Sequence, residues 1–306
     1  MPGPERWNGT LVTGGSGLLG LNWGLACRAR GRVVLGMHRR AITLPGCEST
    51  SVDLRDARAF RDCIRRVRPA LVLHAAGLAD VERCESEPAR AFEDNVSAAE
   101  RVAEACWHEG ARLVHVSTDH LFDGRRSMVC ESEVPSPVNA YGRTKAEAEA
   151  RVLAACPSAL VVRTNFFGWG PPWRRSFSDF VLDACRKGDP VRAWVDVHHT
   201  PISVPALALA VDGLLQAGAS GIVHVVGDER ISKYDLAMML VRHFGLDASL
   251  IRAARAVEVP GRVDRPLDMS LSNNLLRSII GRGIGGAAAM VSDLGAAPPS
   301  DIEALR

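Results

Sequence analysis

A short apolar segment near the start of the chain, Thr10–Thr13, runs directly into a turn that carries Gly14, Gly17 and Gly20. A helical pattern follows over residues 21–29. A strand, a glycine turn and a helix in this order are the context of a dinucleotide-binding turn. The glycines let the backbone approach a pyrophosphate, and the helix N-terminus offers it N–H groups. Glycine spacing alone is weak evidence, so the interpretation depends on the rest of the chain.

Apolar segments and helical patterns alternate along the chain up to about residue 165, as in a sheet of parallel strands connected by helices. Strands are predicted at 10–13, 32–37, 51–54, 70–77, 112–116 and 159–163, and helices at 21–29, 56–67, 89–109 and 141–156. The fold class is therefore α/β, a doubly wound parallel sheet (Rossmann) over 1–165. A further sheet strand is predicted near 221–227, and a smaller mixed C-terminal substrate lobe over 166–306. The tail from Gly281, rich in Gly and Ala, is expected to be loosely packed or frayed.

Arg39 and Arg40 follow the second predicted strand, where dinucleotide-binding folds distinguish their cofactors. A carboxylate there binds a ribose 2′-hydroxyl, whereas arginine accommodates a 2′-phosphate. No acid follows this strand directly, so the sequence predicts NADP (NADPH), with NAD as the alternative. The two arginines could instead point to solvent. Asp53, at the end of the third predicted strand, is placed to reach the adenine.

Tyr141 and Lys145 lie four residues apart at the start of a predicted helix, so they share one face of it. A neighbouring cation lowers a phenol's pKa, because it favours the charged form, and this makes the tyrosine a better proton donor. Thr118 follows the preceding strand and can converge on the same point. The alternative is an incidental pair on a surface helix.

The composition excludes several classes of function. The 37 Lys+Arg nearly balance the 35 Asp+Glu, so no nucleic-acid partner is indicated. The longest apolar runs are strand-sized, so no membrane span is expected. The eight cysteines lack metal-ligand spacing, which is typical of reduced thiols in a cytoplasmic protein. No metal is predicted, and the pair His198–His199 is interpreted as structural.

The motifs together resemble the extended short-chain dehydrogenase/reductase family, and within it most closely the dTDP-4-dehydrorhamnose reductases. The resemblance covers roughly residues 8–280. Its marks are the glycine turn, the segments 74–77, 116–124, 137–145, 163–168, 200–202 and 265–271, and Asn95. It implies NADPH-dependent reduction of a 4-keto group on a nucleotide-linked deoxysugar, and it leaves a homodimer open.

The resemblance also implies residue roles. Tyr141 would protonate the ketone oxygen, Lys145 would bind the nicotinamide ribose and lower the pKa of the tyrosine, and Thr118 would bind the substrate oxygen. Asp119 and Phe166 would lie near the sugar. Asn95 would position a helix or hold a water. The cofactor-binding residues would be Gly14, Gly17, Leu18, Leu19, Gly20, His38, Arg39, Arg40, Asp53, Leu54, Ala75, Ala76, Gly77, Tyr141 and Lys145.

Two other functions on the same scaffold stay open at this point. The regulatory subunit of methionine adenosyltransferase is similar to this subfamily, so a non-catalytic binding subunit is one alternative, and a sugar-nucleotide epimerase is another. Dehydratases of the family place Asp-Glu after the threonine, whereas here Asp119-His120 follows Thr118. The missing glutamate favours reduction. His120 could carry protons in place of that glutamate, and the alternative, which is favoured, is that it packs against the sugar or the loop at Phe122.

Overall fold

The computed structural model describes residues 9–259, 261 and 263–305. Its strands are β1 (Thr10–Thr13), β2 (Val33–Met37), β3 (Glu48–Ser51), β4 (Leu71–His74), β5 (Arg112–Val116), β6 (Leu160–Arg163), β7 (Phe166–Phe167), β8 (Val191–Trp194), β9 (His198–His199), β10 (Ile202–Ser203), β11 (Gly221–His224), β12 (Ile231–Ser232) and β13 (Ile251–Ala254).

The α-helices are α1 (Leu18–Cys27), α2 (Ala57–Val67), α3 (Val81–Ser86), α4 (Pro88–Phe92), α5 (Ala98–Glu109), α6 (Ala140–Ala155), α7 (Phe177–Arg186), α8 (Val204–Gln216), α9 (Lys233–His243), α10 (Asn274–Ile280), α11 (Ala287–Ser292) and α12 (Ser300–Glu303). A π-helical segment, Glu93–Ser97, joins α4 to α5, and 3-10 turns cover Ala248–Leu250 and Ala256–Glu258.

Seven strands form the central sheet, in the order β3-β2-β1-β4-β5-β6-β11. The pairings from β3 through to β6 are parallel. The strand order reverses direction between β1 and β4, and in such sheets ligands bind outside the carboxyl ends of the strands at that crevice. The predicted Rossmann sheet is confirmed, including the late strand at 221–224.

Helix α2 shows why these segments fold against the sheet. Asp56 caps its N-terminus by accepting from two backbone N–H groups of the first turn, at 2.9 and 3.0 Å. Phe60, Cys63, Ile64 and Val67 recur at helical spacing and are all buried. They join apolar side chains of β1, β2, β4, β5, β6, α5 and α6 in one hydrophobic cluster.

The chain divides into two compact units. The first comprises the described residues up to Thr118, with 139–162 and 218–223, and it contains nearly all of the central sheet. The second comprises 119–138, 163–217 and the described residues from His224 onward. It holds three two-stranded sheets, β7 with β10, β8 with β13 and β9 with β12. The predicted division at residue 165 differs, because 119–138 groups with the second unit.

The predicted helix over 89–109 is confirmed as a continuous helical run that consists of α4, the π-helical segment and α5. Two other predictions of local structure were wrong. The third strand is Glu48–Ser51 and ends where the prediction began. The tail after Gly281 is packed, because α11 buries Met290 and the side chain of Ile302 in α12 is fully buried.

Candidate active site

The glycine turn between β1 and α1 is shaped to admit an anion. Gly14 has φ +72°, and a Cβ there would lie 2.9 Å from the amide nitrogen of Ala76. A Cβ on Gly20 would lie 2.8 Å from the Cα of Gly15. The N-cap of α1 is Gly17, which has no side chain to cap the helix, and the first turn carries no acidic residue that would repel an anion. The turn therefore fits the pyrophosphate of a dinucleotide.

The loop after β4 closes the other side of the crevice. The Thr13 hydroxyl lies 3.4 Å from the amide of Ala76, which donates to it. Asn95 is buried and pairs with both backbone groups of Leu78, accepting from its N–H at 2.6 Å and donating to its carbonyl at 3.0 Å. The Asn95 amide also donates to the Thr144 hydroxyl at 3.0 Å. Asn95 thus connects the loop that carries Ala75, Ala76 and Gly77 to helix α6.

A pocket of about 610 Å³ opens beyond the end of β2, lined by His38, Arg39, Arg55, Arg90, Glu93 and Asp94. The prediction considered only the residues directly after β2 and found no acid there. The structure brings two acids to this point from other elements. Asp53 lies 3.4 Å from His38, and Asp94 lies 3.7 Å from Arg39.

Helix α6 carries Tyr141 and Lys145 one turn apart on the same face. Asn139 caps the helix, its Oδ1 accepting from the third helical N–H at 2.9 Å. The Lys145 Nζ donates to the carbonyl of Val116, the last residue of β5, at 2.8 Å. Thr118 follows two residues later and is buried. The three predicted catalytic residues therefore belong to one unit, with Lys145 anchored on the strand that leads to Thr118.

Two stacked histidines lie behind Lys145, and the sequence analysis had assigned neither a role at the site. The Lys145 Nζ is 3.3 Å from Nε2 of His115, whose ring stacks on His74 with centroids 5.2 Å apart. His74 Nδ1 is 2.7 Å from the Thr13 hydroxyl. Burial, and then the charge of Lys145, lower the pKa of His74 to about 3 and that of His115 well below its usual range. Both rings are therefore neutral at pH 7.

Lys145 itself titrates closer to neutrality than an ordinary lysine. Burial lowers its pKa to about 8, and nearby Glu149 partly offsets this effect. At pH 7 most of the population keeps the ammonium, which is the form that favours a tyrosinate. A charged Lys145 therefore lowers the pKa of the Tyr141 phenol, which makes the tyrosine a better proton donor.

The residues predicted to contact the sugar, Asp119 and Phe166, belong to the second unit. Asp119 is buried and accepts a hydrogen bond from the Asn165 amide. Phe166 lies half-buried on β7. The sequence analysis missed Lys233, whose ammonium lies 5.2 Å from the ring centroid of Phe177. Burial lowers the pKa of Lys233 to about 8, against the charge of Asp119.

The three histidines singled out from the sequence also belong to this second unit. Burial lowers the pKa of His120, and the carboxylate of Asp119 opposes the shift. His198 and His199 form β9, which pairs antiparallel with β12. His199 is fully buried, and its Nδ1 lies 3.2 Å from the carbonyl of Ile231. Across the residues described, no group of three or more His, Cys, Asp or Glu side chains is arranged to hold a metal.

A seven-stranded Rossmann-type sheet, a glycine turn and a Tyr-x-x-x-Lys helix beside the end of β5 define the extended short-chain dehydrogenase/reductase class. Comparison with protein-family models gives the particular family. Residues 8–284 match the RmlD substrate binding domain. The chain belongs to that family, as the motifs in its sequence predicted.

Individual relatives have related names. The chain is 31% identical over 268 residues to the dTDP-4-keto-6-deoxy-D-glucose reductase of Streptomyces niveus, covering 86% of each chain. It is 29% identical over 290 residues to methionine adenosyltransferase 2 subunit beta of Xenopus laevis, covering 90% of this chain and 82% of that protein. The crystal structure of dTDP-4-dehydrorhamnose reductase from Bacillus anthracis in complex with NADP superposes with a TM-score of 0.80 at 20% identity. That match covers 94% of this chain and 98% of the other, and it confirms the fold.

None of the helices in the described residues has both the length and the apolar character needed to cross a membrane.

Proposed function

We propose that the protein reduces a 4-keto group on a nucleotide-linked deoxysugar, using NADPH. The observation that carries the proposal is the anchoring of Lys145. Its Nζ donates to the Val116 carbonyl at 2.8 Å, on the same helix face as Tyr141 and close along the chain to Thr118. The names of the reductase relatives, the Streptomyces niveus enzyme among them, support the substrate class.

Different groups of residues bind different parts of the cofactor. NADPH, when bound, supplies a hydride. Gly14, Gly17, Leu18, Leu19 and Gly20 hold its pyrophosphate at the turn whose geometry fits an anion. The pocket at the end of β2 receives the 2′-phosphate, as Arg39 predicts, and the loop with Ala75, Ala76 and Gly77 lines the crevice. NAD stays the alternative cofactor.

At the reacting oxygen, Thr118 donates a hydrogen bond and Tyr141 delivers the proton. The Lys145 ammonium makes the phenol a stronger acid and binds the nicotinamide ribose. Asp119 and Phe166 are proposed to bind the sugar, and residues 166–306 are proposed to form most of the substrate-binding lobe. A cytoplasmic location and a homodimer stay predictions, and light scattering checks the second.

The test incubates the protein with a saturated 4-hydroxy nucleotide sugar and, separately, with a 4-keto-6-deoxy nucleotide sugar and NADPH. It follows absorbance and product mass together in both. We expect one NADPH to be consumed per 4-hydroxy product, without loss of water. Tyr141→Phe keeps the ring but lacks the acid, so turnover should fall by roughly 10²–10⁴-fold while NADPH affinity stays close to wild type.

Other outcomes identify the alternatives. A product of unchanged mass without NADPH loss would indicate an epimerase, and a product lighter by one water would indicate a dehydratase. A folded protein that binds NADPH and reduces none of the keto-sugars would favour a binding subunit, as the name of the Xenopus laevis relative suggests.

A further inference from the structure

The pocket beyond the end of β2 contains a carboxylate that three arginines share. Arg55 NH2 lies 3.2 Å from Oδ1 of Asp94, while Arg90 Nε and Arg39 NH2 lie 3.4 and 3.7 Å from Oδ2. The Asp94 side chain is only 13% exposed. The arginines come from three separate places, the ends of β2 and β3 and helix α4. Asp94 is therefore the centre of the arrangement.

The side chains that line the pocket carry more positive than negative charge, so the pocket can bind a further anion. Three guanidinium groups face Asp94 and Glu93, and Glu93 is already paired with Arg101 at 2.6 Å. Arg90 is also paired with Glu87 at 2.8 Å, so the positive charge in excess belongs to Arg39 and Arg55. The arginines are 61%, 45% and 32% exposed for Arg39, Arg55 and Arg90, so a soluble anion can reach them. An incoming phosphate would need the groups that Asp94 now holds, and it would bring negative charge close to that carboxylate.

We propose that Asp94 sets the cofactor preference of this protein by competing with the 2′-phosphate of NADPH for Arg39, Arg55 and Arg90. The inference rests on the proposed use of a nicotinamide dinucleotide. With NADPH, the arginines exchange Asp94 for the phosphate, and the like charges of phosphate and carboxylate weaken binding. With NADH, the carboxylate accepts a hydrogen bond from the free ribose hydroxyl. Asp94 thus reduces the difference between the affinities of the protein for NADPH and NADH.

The first test removes the charge and keeps the shape, in Asp94→Asn. The probes are 2′,5′-ADP and 5′-AMP, which differ in the 2′-phosphate alone and need no catalysis, followed by NADPH and NADH. Losing the like charge should raise the affinity ratio of 2′,5′-ADP to 5′-AMP by about tenfold. The ratio of NADPH to NADH should rise in parallel.

A matched control is Glu87→Gln. Glu87 pairs with the same Arg90, at 2.8 Å, but it is outside the set of residues that line the pocket. The control should leave both ratios unchanged. In the opposite direction, Arg55→Gln and Arg90→Gln should each lower the affinity for 2′,5′-ADP by about tenfold and leave that for 5′-AMP unaltered.

The outcomes separate this inference from the proposed function. If wild type binds neither NADPH nor NADH, the proposed function fails. If it binds both and Asp94→Asn leaves the ratios where Glu87→Gln leaves them, Asp94 is only a structural partner of the arginines and the inference is wrong. Circular dichroism and the melting temperature establish that each variant is folded. If Asp94→Asn does not fold, Asp94→Ser removes the same charge, and an unchanged ratio of 2′,5′-ADP to 5′-AMP affinity in that variant overturns the inference.

Discussion

The buried imidazole of His74 makes the stability of the protein depend on pH in a calculable way. Its pKa is about 3 in the folded chain, against an ordinary value of 6.5. Because the folded-state pKa is the lower one, the unfolded chain binds the proton first as the pH falls. The stabilisation is therefore complete above pH 6.5 and is lost as the pH falls towards about 3.

The magnitude follows from the two pKa values. At pH 5 the unfolded state gains about 2 kcal/mol from protonating this one imidazole, and the limit near pH 3 is about 5 kcal/mol, taking 1.36 kcal/mol per pKa unit over the interval from 6.5 to 3. The other buried histidines, His115, His199 and His224, have lowered pKa values as well and act in the same direction. A single substitution therefore has to isolate the contribution of His74.

His74→Asn is the substitution that does so. Asparagine does not titrate, and its side chain can place a polar atom near the position of Nδ1, which lies 2.7 Å from the Thr13 hydroxyl. The variant is expected to be less stable than wild type at pH 7, because it loses the stacking on His115. That deficit should shrink by about 2 kcal/mol between pH 7 and pH 5.

Urea unfolding at the two pH values measures the effect, followed by tryptophan fluorescence and by circular dichroism so that coincident transitions support a two-state treatment. The matched control is His108→Asn, at an exposed position on α5, which should follow the pH dependence of wild type. If wild type and His74→Asn differ by the same free energy at both pH values, the imidazole is not held neutral and the reasoning is refuted.

Three further predictions concern the cofactor, the rate and the tail. Replacing Arg39 and Arg40 together with Ala should lower the preference for NADPH over NADH, because each charge-assisted hydrogen bond to the 2′-phosphate contributes about 1.5–3 kcal/mol; equal affinity of wild type for the two cofactors would contradict this. The turnover of wild type should decline as the pH rises through about 8, because Lys145 then loses the charge that supports the proton donor; a constant turnover up to about pH 9.5 would refute it. Met290→Ala should cost roughly 2–5 kcal/mol of stability in thermal or urea unfolding, since this side chain is buried, whereas a frayed tail would show no loss.

The central strands were predictable because a parallel sheet buries both of its faces. Strands β1, β4, β5 and β6 lie inside the sheet, and their near-continuous apolar runs are visible in the sequence. Strand β3 pairs only with β2 at the edge, and its residues Glu48, Ser49 and Ser51 are exposed. It therefore lacks an apolar run, and the prediction shifted to the buried Val52 that follows it.

The pocket at the end of β2 could be predicted only in part. Arg39 was predicted because it lies just after β2, and the residues at that position distinguish NAD from NADP in dinucleotide-binding folds. That rule considers only the short segment after one strand. Arg55, Arg90 and Asp94 reach the same pocket from the end of β3, from α4 and from the π-helical segment. Nothing in their local sequence marks them as partners, since only the packing of those elements places their side chains together.

The tail differs from the pocket, because its sequence does contain a pattern that predicts packed structure. The high content of Gly and Ala obscured that pattern. Ala287, Met290, Val291 and Leu294 recur at intervals that suit a helix with one buried face, and all four are buried. The surrounding glycines and alanines made the segment appear unpatterned. The indole of Trp169 donates to the carbonyl of Leu294 at 2.8 Å, within the second unit.

The Tyr141 and Lys145 pair illustrates what a motif can and cannot predict. Helical periodicity alone puts the two side chains on one face, and the structure has the helix at 140–155. The chemistry of the pair also depends on the protonation state of Lys145, which burial sets by lowering its pKa to about 8. His115 and the Val116 carbonyl hold the ammonium in place, and both come from β5, 30 and 29 residues earlier in the chain. A motif search detects the tyrosine and the lysine, but the two neutral histidines beside Lys145 follow only from the packing of β4 and β5 near the helix.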